Sequence, residues 1–196
     1  MKNPTKFLKP GLLALVLMFT MGAFAQVKYS SKNGLNLVVS GTSTLHDWDM
    51  KSSQGSFDAS FAFNATGAVT GITGLSFTTP ASALKSGKDA MDKNAYKALK
   101  VDKNPNISFT ASSATVTAVN ATDFTVKAVG KLTIAGAPLD AEIVATGKVN
   151  ADKTITVTGA KKISMKEFGM TPPSFMMGTI KTGNDVTLKF DLKLTK

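Results

Sequence analysis

Hydrophobic and polar residues alternate along most of the chain after residue 25, so that every second side chain is apolar. Successive side chains of a β-strand point to opposite faces, and this alternation therefore predicts strands with one buried face. Similar runs occur at residues 56–63, 75–79, 107–111, 139–145, 155–159 and 186–194. The longest run has an apolar face made of Phe124, Val126, Ala128, Gly130, Leu132 and Ile134.

Turn-forming residues separate these runs. The sequence AGAP at residues 135–138 divides two of them, and NADK at residues 150–153 divides the next two. GND at residues 183–185 is expected to precede the last strand. Short strands with turns at this spacing predict an antiparallel sandwich or barrel.

One interruption of the alternation is helical. Within residues 82–103, Met91, Ala95 and Leu99 recur at helical spacing, and Pro105 is expected to end the segment. This pattern predicts one or two short helical turns that cap one end or side of the sheet.

A second interruption lies at residues 164–181, where Pro172 and Pro173 exclude regular structure. Methionine is flexible and polarizable, so it conforms to irregular apolar shapes. The loop is therefore either an apolar gate at a barrel mouth or a plug of core side chains. Its large apolar residues are Met165, Phe168, Met170, Phe175, Met176 and Met177.

Closing the sheet into a barrel buries its apolar face and leaves no free edge. We therefore predict an all-β fold, an antiparallel barrel of about eight strands with one or two short helices. A barrel of about this size is filled by side chains or holds one small ligand. Small residues at inward positions fit either outcome, and the pattern does not choose between them. They are Ala59, Ala111, Ala128, Gly130, Ala141, Ala145 and Gly159.

The first 25 residues have the three parts of a signal peptide. Lys2, Lys6 and Lys9 form a positive segment, residues 11–22 are uncharged and apolar, and small residues follow. The apolar run is shorter than the roughly 20 residues that span a bilayer. We expect cleavage between residues 25 and 26, which leaves one domain at residues 26–196 in the periplasm or secreted.

The amino-acid composition excludes thiol chemistry and argues against nucleic acid as a partner. The chain has no cysteine, so disulfides and thiol chemistry are excluded. All 23 basic residues are lysine and the net charge is +10, which favours anionic partners. The lysines are scattered, however, and arginine, the usual reader of phosphates and bases, is absent. Nucleic acid is not an expected partner, and the protein is expected to be a monomer or a homodimer.

His46 is the single histidine and lies beside Asp47, Trp48 and Asp49. A metal site normally needs three or four ligands, so neither a metal nor a cofactor is expected. Ser43, His46 and Asp47 lie in an extended segment, where alternation sends His46 and Asp47 to opposite faces. We therefore predict no catalytic residues and no enzymatic activity. His46 and Trp48 are expected to pack near a barrel end or to contact a ligand head group.

Four segments occur in the order found in one known family. They are SGTSTLHDWDM at residues 40–50, MDKNAYKALKVDKNPNISF at 91–109, GKLTIAGAPLDAEIVATG at 130–147 and ISMKEFGM at 163–170. In these segments the chain resembles the YceI-like proteins, which are exported, lipocalin-like antiparallel barrels associated with binding of polyisoprenoids or other amphiphiles. The resemblance covers essentially the whole chain after residue 25. The LHDWDM and PPSFMMGTIKTG sequences resemble a subgroup of that family.

The resemblance implies an exported carrier that holds an amphiphilic lipid, such as a polyisoprenoid or an isoprenoid quinone, inside a hydrophobic barrel. Transient contact with a membrane would accompany transfer of the lipid. His46 and Trp48 would contact its head group. The residues expected to line the lumen or its mouth are Phe61, Phe63, Phe77, Met91, Tyr96, Leu99, Phe109, Phe168, Met170, Phe175, Met176 and Met177.

Three alternatives remain open from the sequence. The first is a non-catalytic stress-response or interaction protein whose barrel is packed solid and binds no lipid. The second is an outer-membrane barrel, which would need aromatic girdles that one tryptophan and two tyrosines hardly provide. The third is an enzyme that uses His46.

Overall fold

The computed structural model describes residues 26–31 and 34–196. The expected signal peptide at residues 1–25 lies outside the described residues. One α-helix, α1, spans Asp89–Leu99, and two 3₁₀ turns span Ala81–Ala83 and Met176–Gly178. The strands are β1 (Gln26–Ser31), β2 (Leu35–Ser43), β3 (Trp48–Ser52), β4 (Ser56–Phe63), β5 (Val69–Pro80), β6 (Asn106–Ala118), β7 (Asp123–Ile134), β8 (Ala137–Val149), β9 (Ile155–Ser164), β10 (Ser174–Phe175) and β11 (Ile180–Leu194).

The strands form one curled sheet in which every pairing is antiparallel, in the order β1-β4-β5-β6-β7-β8-β9-β11-β2-β3, with β10 on β11. The predicted all-β antiparallel barrel is thus confirmed, but with more strands than the expected eight. The strands that do not correspond to one of the seven alternating runs are the short β10 and the three strands before residue 56, β1, β2 and β3.

Two isolated backbone pairs tie down the edges of the curled sheet. Ser30 and Thr195 exchange hydrogen bonds of 2.8 and 2.9 Å, which join the edge strand β1 to the chain just after β11. Lys51 and Lys85 exchange bonds of 2.8 and 2.9 Å, which join the opposite edge, β3, to the segment before α1. An edge strand with unpaired backbone groups is an aggregation template, and these pairs shorten both edges.

The strand register aligns the apolar faces that the alternation predicted. On β7 the alternate residues Phe124, Val126, Ala128, Leu132 and Ile134 are all buried. Because side chains in register on neighbouring strands share a face, the inward positions of all the long strands meet around one interior.

Two local predictions need correction. The helix within residues 82–103 has 11 residues, about three turns, where one or two were predicted. It ends at Leu99, because Lys100 adopts a left-handed conformation (φ 54°), and not at Pro105. The GND sequence at residues 183–185 does not precede the last strand but lies inside β11, where the register with β2 shifts between Thr182 and Val186.

Gly130 allows two strands to approach closely at a bulge. It faces Ala111 of β6, just where the β6–β7 register shifts before Ser113. A Cβ at residue 130 would overlap the carbonyl oxygen of Thr110 and lie 2.6 Å from the Cα of Ala111. These are backbone atoms, so no side-chain rotation can relieve the overlap.

We therefore expect Gly130→Ala to lower the free energy of unfolding by about 2–3 kcal/mol, the usual cost of forcing a methyl group into a packed site. Urea denaturation measures the change. Gly71→Ala is the matched control, because a Cβ at residue 71 of β5 meets only the Cβ of Ala62 at 3.7 Å. Equal stability of the two variants would contradict the proposed close approach.

Candidate ligand cavity

An apolar cavity of about 390 Å³ occupies one end of the barrel. Its volume lies in the range of sites for small molecules. Helix α1 covers one side of it with Met91, Ala95 and Leu99, which recur on one face of the helix. Strands β2, β3 and β11 and the loop before β11 form the remaining walls. We call this space the outer cavity.

Helix α1 is held in place from the side that faces away from the outer cavity. The Tyr96 hydroxyl lies 2.8 Å from the carbonyl oxygens of both Ser82 and Leu84. The Lys85 ammonium lies 5.1 Å from the centroid of the Tyr96 ring, within cation–π distance. These contacts attach the helix to the segment that follows β5, in addition to the packing of Met91, Ala95 and Leu99 against the core.

Asp92 provides a second attachment for the helix. This buried carboxylate accepts hydrogen bonds from the Ser86 backbone N–H (2.8 Å) and hydroxyl (2.6 Å), and the Lys85 ammonium lies 3.7 Å away. Burial by itself raises the pKa of Asp92, but the Ser86 hydrogen bonds and the Lys85 charge outweigh it and hold the pKa below the ordinary 3.8. The carboxylate is therefore stabilised in its charged form.

A second, smaller cavity of about 100 Å³ lies deeper in the barrel, and we call it the inner cavity. Phenylalanines from β4, β5, β6 and β11 line it, together with aliphatic residues of β7, β8 and β9. Val39, Ile107 and Leu188 line both cavities, so the two spaces adjoin. The interior is thus a two-chambered apolar space, and the solid packing that the alternation also allowed is not what the structure shows.

Of the twelve residues predicted for the lumen or mouth, eight line one of these cavities, and so do both head-group candidates. Those in the outer cavity are Met91, Leu99, Met170, Phe175 and Met176, together with the two head-group candidates His46 and Trp48. Those in the inner cavity are Phe61, Phe77 and Phe109.

Four other predicted residues lie elsewhere. Phe63 packs beside Tyr29, with ring centroids 6.2 Å apart. Phe168 is buried in the core beyond the cavity lining, and Met177 is fully exposed. The hydroxyl of Tyr96 is used to anchor the helix. Alternation and composition identify apolar side chains, but they do not show which of them face a void.

The mouth of the outer cavity is built around Ser43. Its hydroxyl donates to the carbonyl oxygen of His46 (2.7 Å) and accepts from the backbone N–H groups of Leu45 and His46. The Ser43 hydroxyl is therefore bonded to the backbone of His46, not to its imidazole. The Trp48 indole N–H donates to the carbonyl oxygen of Thr42 at 3.0 Å. This network orients the turn between β2 and β3.

The rim of the mouth exposes large apolar side chains. Leu45 is 66% exposed, Met176 is 74% exposed and Met177 is fully exposed. Met176 and Met177 both have left-handed backbones, with φ of 48° and 53°, a conformation that costs a residue with a side chain about 1 kcal/mol or more. Exposed apolar groups on a strained turn are a feature of contact surfaces.

Polar and charged groups are few in these cavities. The outer cavity includes Ser43, His46, Lys88, Asn94 and Thr182, and the charged residue in the inner cavity is Lys161. Within residues 26–31 and 34–196, no group of histidine, cysteine, aspartate or glutamate side chains is arranged to hold a metal ion. In the same part of the chain, no helix combines the length and apolar character needed to cross a membrane.

Sequence reasoning missed Val39, Leu188 and Lys161 as site residues. Lys161 follows Ile155, Val157 and Gly159 at the same inward period of β9, so extending the alternation by one step would have identified it. Val39 lies in β2, whose alternation was not recognised.

The chain is similar to one protein family and to several solved structures. A model of the YceI-like domain matches residues 19–194. Burkholderia cenocepacia BcnA has a TM-score of 0.63 at 15% identity, over 83% of this chain and 96% of BcnA. A polyisoprenoid-binding domain from Saccharophagus degradans has a TM-score of 0.62 at 12% identity, over 87% and 98%. The Campylobacter jejuni YceI protein has a TM-score of 0.52 at 19% identity, over 71% and 81%.

These identities are low, so the structural matches show a shared fold. No curated protein sequence matches this chain.

The Asp92 attachment predicts a specific pH dependence. Because folding lowers this pKa, the carboxylate stabilises the fold above its unfolded value of 3.8, and the contribution is lost as the pH falls through the lower, folded value. We expect Asp92→Asn to reduce the free energy of unfolding by about 1–3 kcal/mol at pH 7. At about pH 2.5 the difference from the unmodified protein should shrink.

Urea denaturation at both pH values measures this effect. Asp102→Asn, in an exposed turn, is the control and should change stability little at either pH. If Asp92→Asn lowers the free energy of unfolding by the same amount at both pH values, the charge of Asp92 is not what stabilises the helix.

Proposed function

This chain belongs to the YceI-like family, and on that premise we propose that it is a non-catalytic carrier that binds an amphiphilic lipid, of the polyisoprenoid or isoprenoid-quinone kind, in its two cavities. The family predicted from four sequence segments is confirmed by the match over residues 19–194. Binding would make or break no covalent bond. The observation that carries the proposal is the pair of adjoining apolar cavities, the outer of which is lined by the exposed residues Leu45 and Met176.

The energetics of such a cavity favour a long apolar chain. Burial of each methylene contributes roughly 0.8 kcal/mol, so one five-carbon isoprene unit contributes about 4 kcal/mol as an upper bound. Ordering of a flexible tail offsets a large part of this gain. Several units are then needed for useful affinity, and two adjoining cavities offer more length than either alone.

The similar protein from Saccharophagus degradans supports this ligand class, because it is described as a polyisoprenoid-binding domain. Residues 1–25 support export, since they have the three parts of a signal peptide. We propose that the mature protein works in the periplasm or outside the cell, where a lipid tail must be shielded from water.

The exposed rim supports transfer of the lipid at a membrane surface. Leu45, Met176 and Met177 could enter the interfacial region of a bilayer. Residues 26–196 contain 20 lysines and 13 acidic residues, and this net charge of +7 would attract anionic lipids. Contact at the mouth would let a tail pass between bilayer and cavity without crossing water.

The packed-barrel alternative, an interaction protein without a lipid ligand, has less support, because the interior contains adjoining cavities of about 390 and 100 Å³. Native mass spectrometry of protein purified from its own host distinguishes the two functions. We expect a co-purifying lipid that organic extraction removes. Reproducible absence of any lipid, together with no uptake of an apolar dye, would contradict the carrier function.

A cavity-filling variant tests where the lipid binds. Ala95 lines the outer cavity, so Ala95→Phe should occupy that space and weaken polyprenol binding by about tenfold or more, or about 1.4 kcal/mol. Competition with an environment-sensitive apolar dye measures the affinity. Stability should be retained, because the added ring fills an apolar void.

Ala121→Phe, in the exposed turn between β6 and β7, is the control and should leave polyprenol binding unchanged. If Ala95→Phe folds and binds polyprenol as tightly as the control, the outer cavity is not the binding site.

A further inference from the structure

Lys161 is a charged residue on the inward face of the barrel. It lies directly opposite Leu188 in the register of β9 with β11, and Gly159 and Ile163 occupy the flanking inward positions of the same strand. Its side chain lines the inner cavity, whose other lining residues are apolar. The surface of the inner cavity is entirely apolar, so Lys161 lines it with its alkyl stem and not with its ammonium group.

The sheet opens beside Lys161. The hydrogen-bonded ladder between β8 and β9 ends at the pair Ala145–Gly159, although both strands continue beyond it. Ile143 of β8 and Lys161 of β9 lie just beyond the last pair of this ladder, and both line the inner cavity. The inner cavity therefore borders a gap in the wall, and Lys161, which is half-buried, stands at that gap.

The Lys161 ammonium has no ion-pair partner in the described part of the chain. Its neighbour Lys162 points to the opposite face and pairs with Asp185 at 2.7 Å. The gap gives Lys161 access to water, so its alkyl stem can lie along apolar surface while the ammonium stays hydrated. An apolar chain that fills the cavity would displace part of the water around the ammonium and would provide no hydrogen-bond acceptor or negative charge in its place.

We propose that Lys161 binds the anionic head group, a carboxylate or a phosphate monoester, of a single-chain amphiphile whose tail fills the two cavities; this assignment rests on the proposed function. A charge pair beside a surface of low dielectric is stronger than one in water. The anionic head group would take the place of the water that the tail displaces around the ammonium. Those oxygens of the head group that do not contact Lys161 would remain solvated through the gap. The ligand class is therefore narrower than an apolar chain: it is an anionic amphiphile.

Two lipids with the same chain and different head groups test the assignment. Oleate and oleyl alcohol compete with an apolar fluorescent dye for the full-length mature protein at low salt and neutral pH. We expect oleate to bind about tenfold more tightly than oleyl alcohol, the effect of one charge-assisted contact. Lys161→Met should abolish that preference and leave the affinity for oleyl alcohol within about twofold, since it keeps the apolar stem.

Lys161→Arg and Lys189→Met are the matched variants. Lys161→Arg retains the charge and should retain the preference for oleate. Lys189, on the outer face of β11 opposite Ala160, is exposed, so Lys189→Met removes the same charge nearby and should change nothing. Acetate and inorganic phosphate, which lack a tail, should not displace the dye.

Each result decides the assignment. A preference for oleate that survives in Lys161→Met, or equal binding of both lipids by the unmodified protein, would overturn the role of Lys161 and leave the carrier function intact. Displacement by phosphate or acetate alone would show a simple anion site and overturn the amphiphile. If neither lipid displaces the dye from the unmodified protein, the assignment to Lys161 is overturned. The carrier function fails only if polyprenol also does not displace the dye and no lipid co-purifies with the protein.

Discussion

The register of β11 with β9 and β2 is the constraint on which the rest of the structure depends. Side chains alternate with a period of two, so a slip of one residue would turn the inward Val186, Leu188 and Phe190 to solvent. The same register brings the end of the chain to Ser30, where Thr195 completes the curl. The register shift between Thr182 and Val186 is confined to the end of β11 near the mouth. The pairing of β11 with β2 is regular from Val186 to Leu192, so the inward face of that part is undisturbed.

The outer cavity is covered by a helix that side-chain hydrogen bonds attach to a neighbouring segment. Tyr96 and Asp92 fasten α1 to the Ser82–Ser86 segment, so core packing is not the only interaction that positions the helix. Ala95 and its small neighbours on the helix leave space, while Met91 and Leu99 line its sides. An apolar space of this kind is costly to leave empty and favourable to fill, which is the physical basis of the proposed lipid binding.

The distribution of charge separates the two surfaces of the sheet. On the outer surface, lysines pair with acids across strands, as Lys127 does with Glu142 at 2.8 Å. Such exposed pairs contribute little to stability and keep the surface soluble. Beside the inner cavity, the Lys161 ammonium has no ion-pair partner among the described residues and lies near the point where the β8–β9 ladder ends. A charge in this position is expected to affect which ligand binds more than whether the chain folds.

The class of fold follows from the amino-acid pattern, because a period of two assigns each residue of a strand to one of two faces. The pattern identified the buried side of β7 and the turn after Ile134, but residues 164–181, predicted to be irregular, contain β10 and the start of β11. Whether the apolar faces meet each other or enclose space depends on the curvature of the sheet, its bulges and the position of α1, which local alternation does not encode. For the same reason Phe77 lines a cavity while Phe63 packs beside Tyr29, although both lie in apolar, strand-forming runs. The position of Lys161 at a gap likewise depends on where the β8–β9 ladder ends. The alternation within one strand does not show where its backbone pairing with the next strand ends.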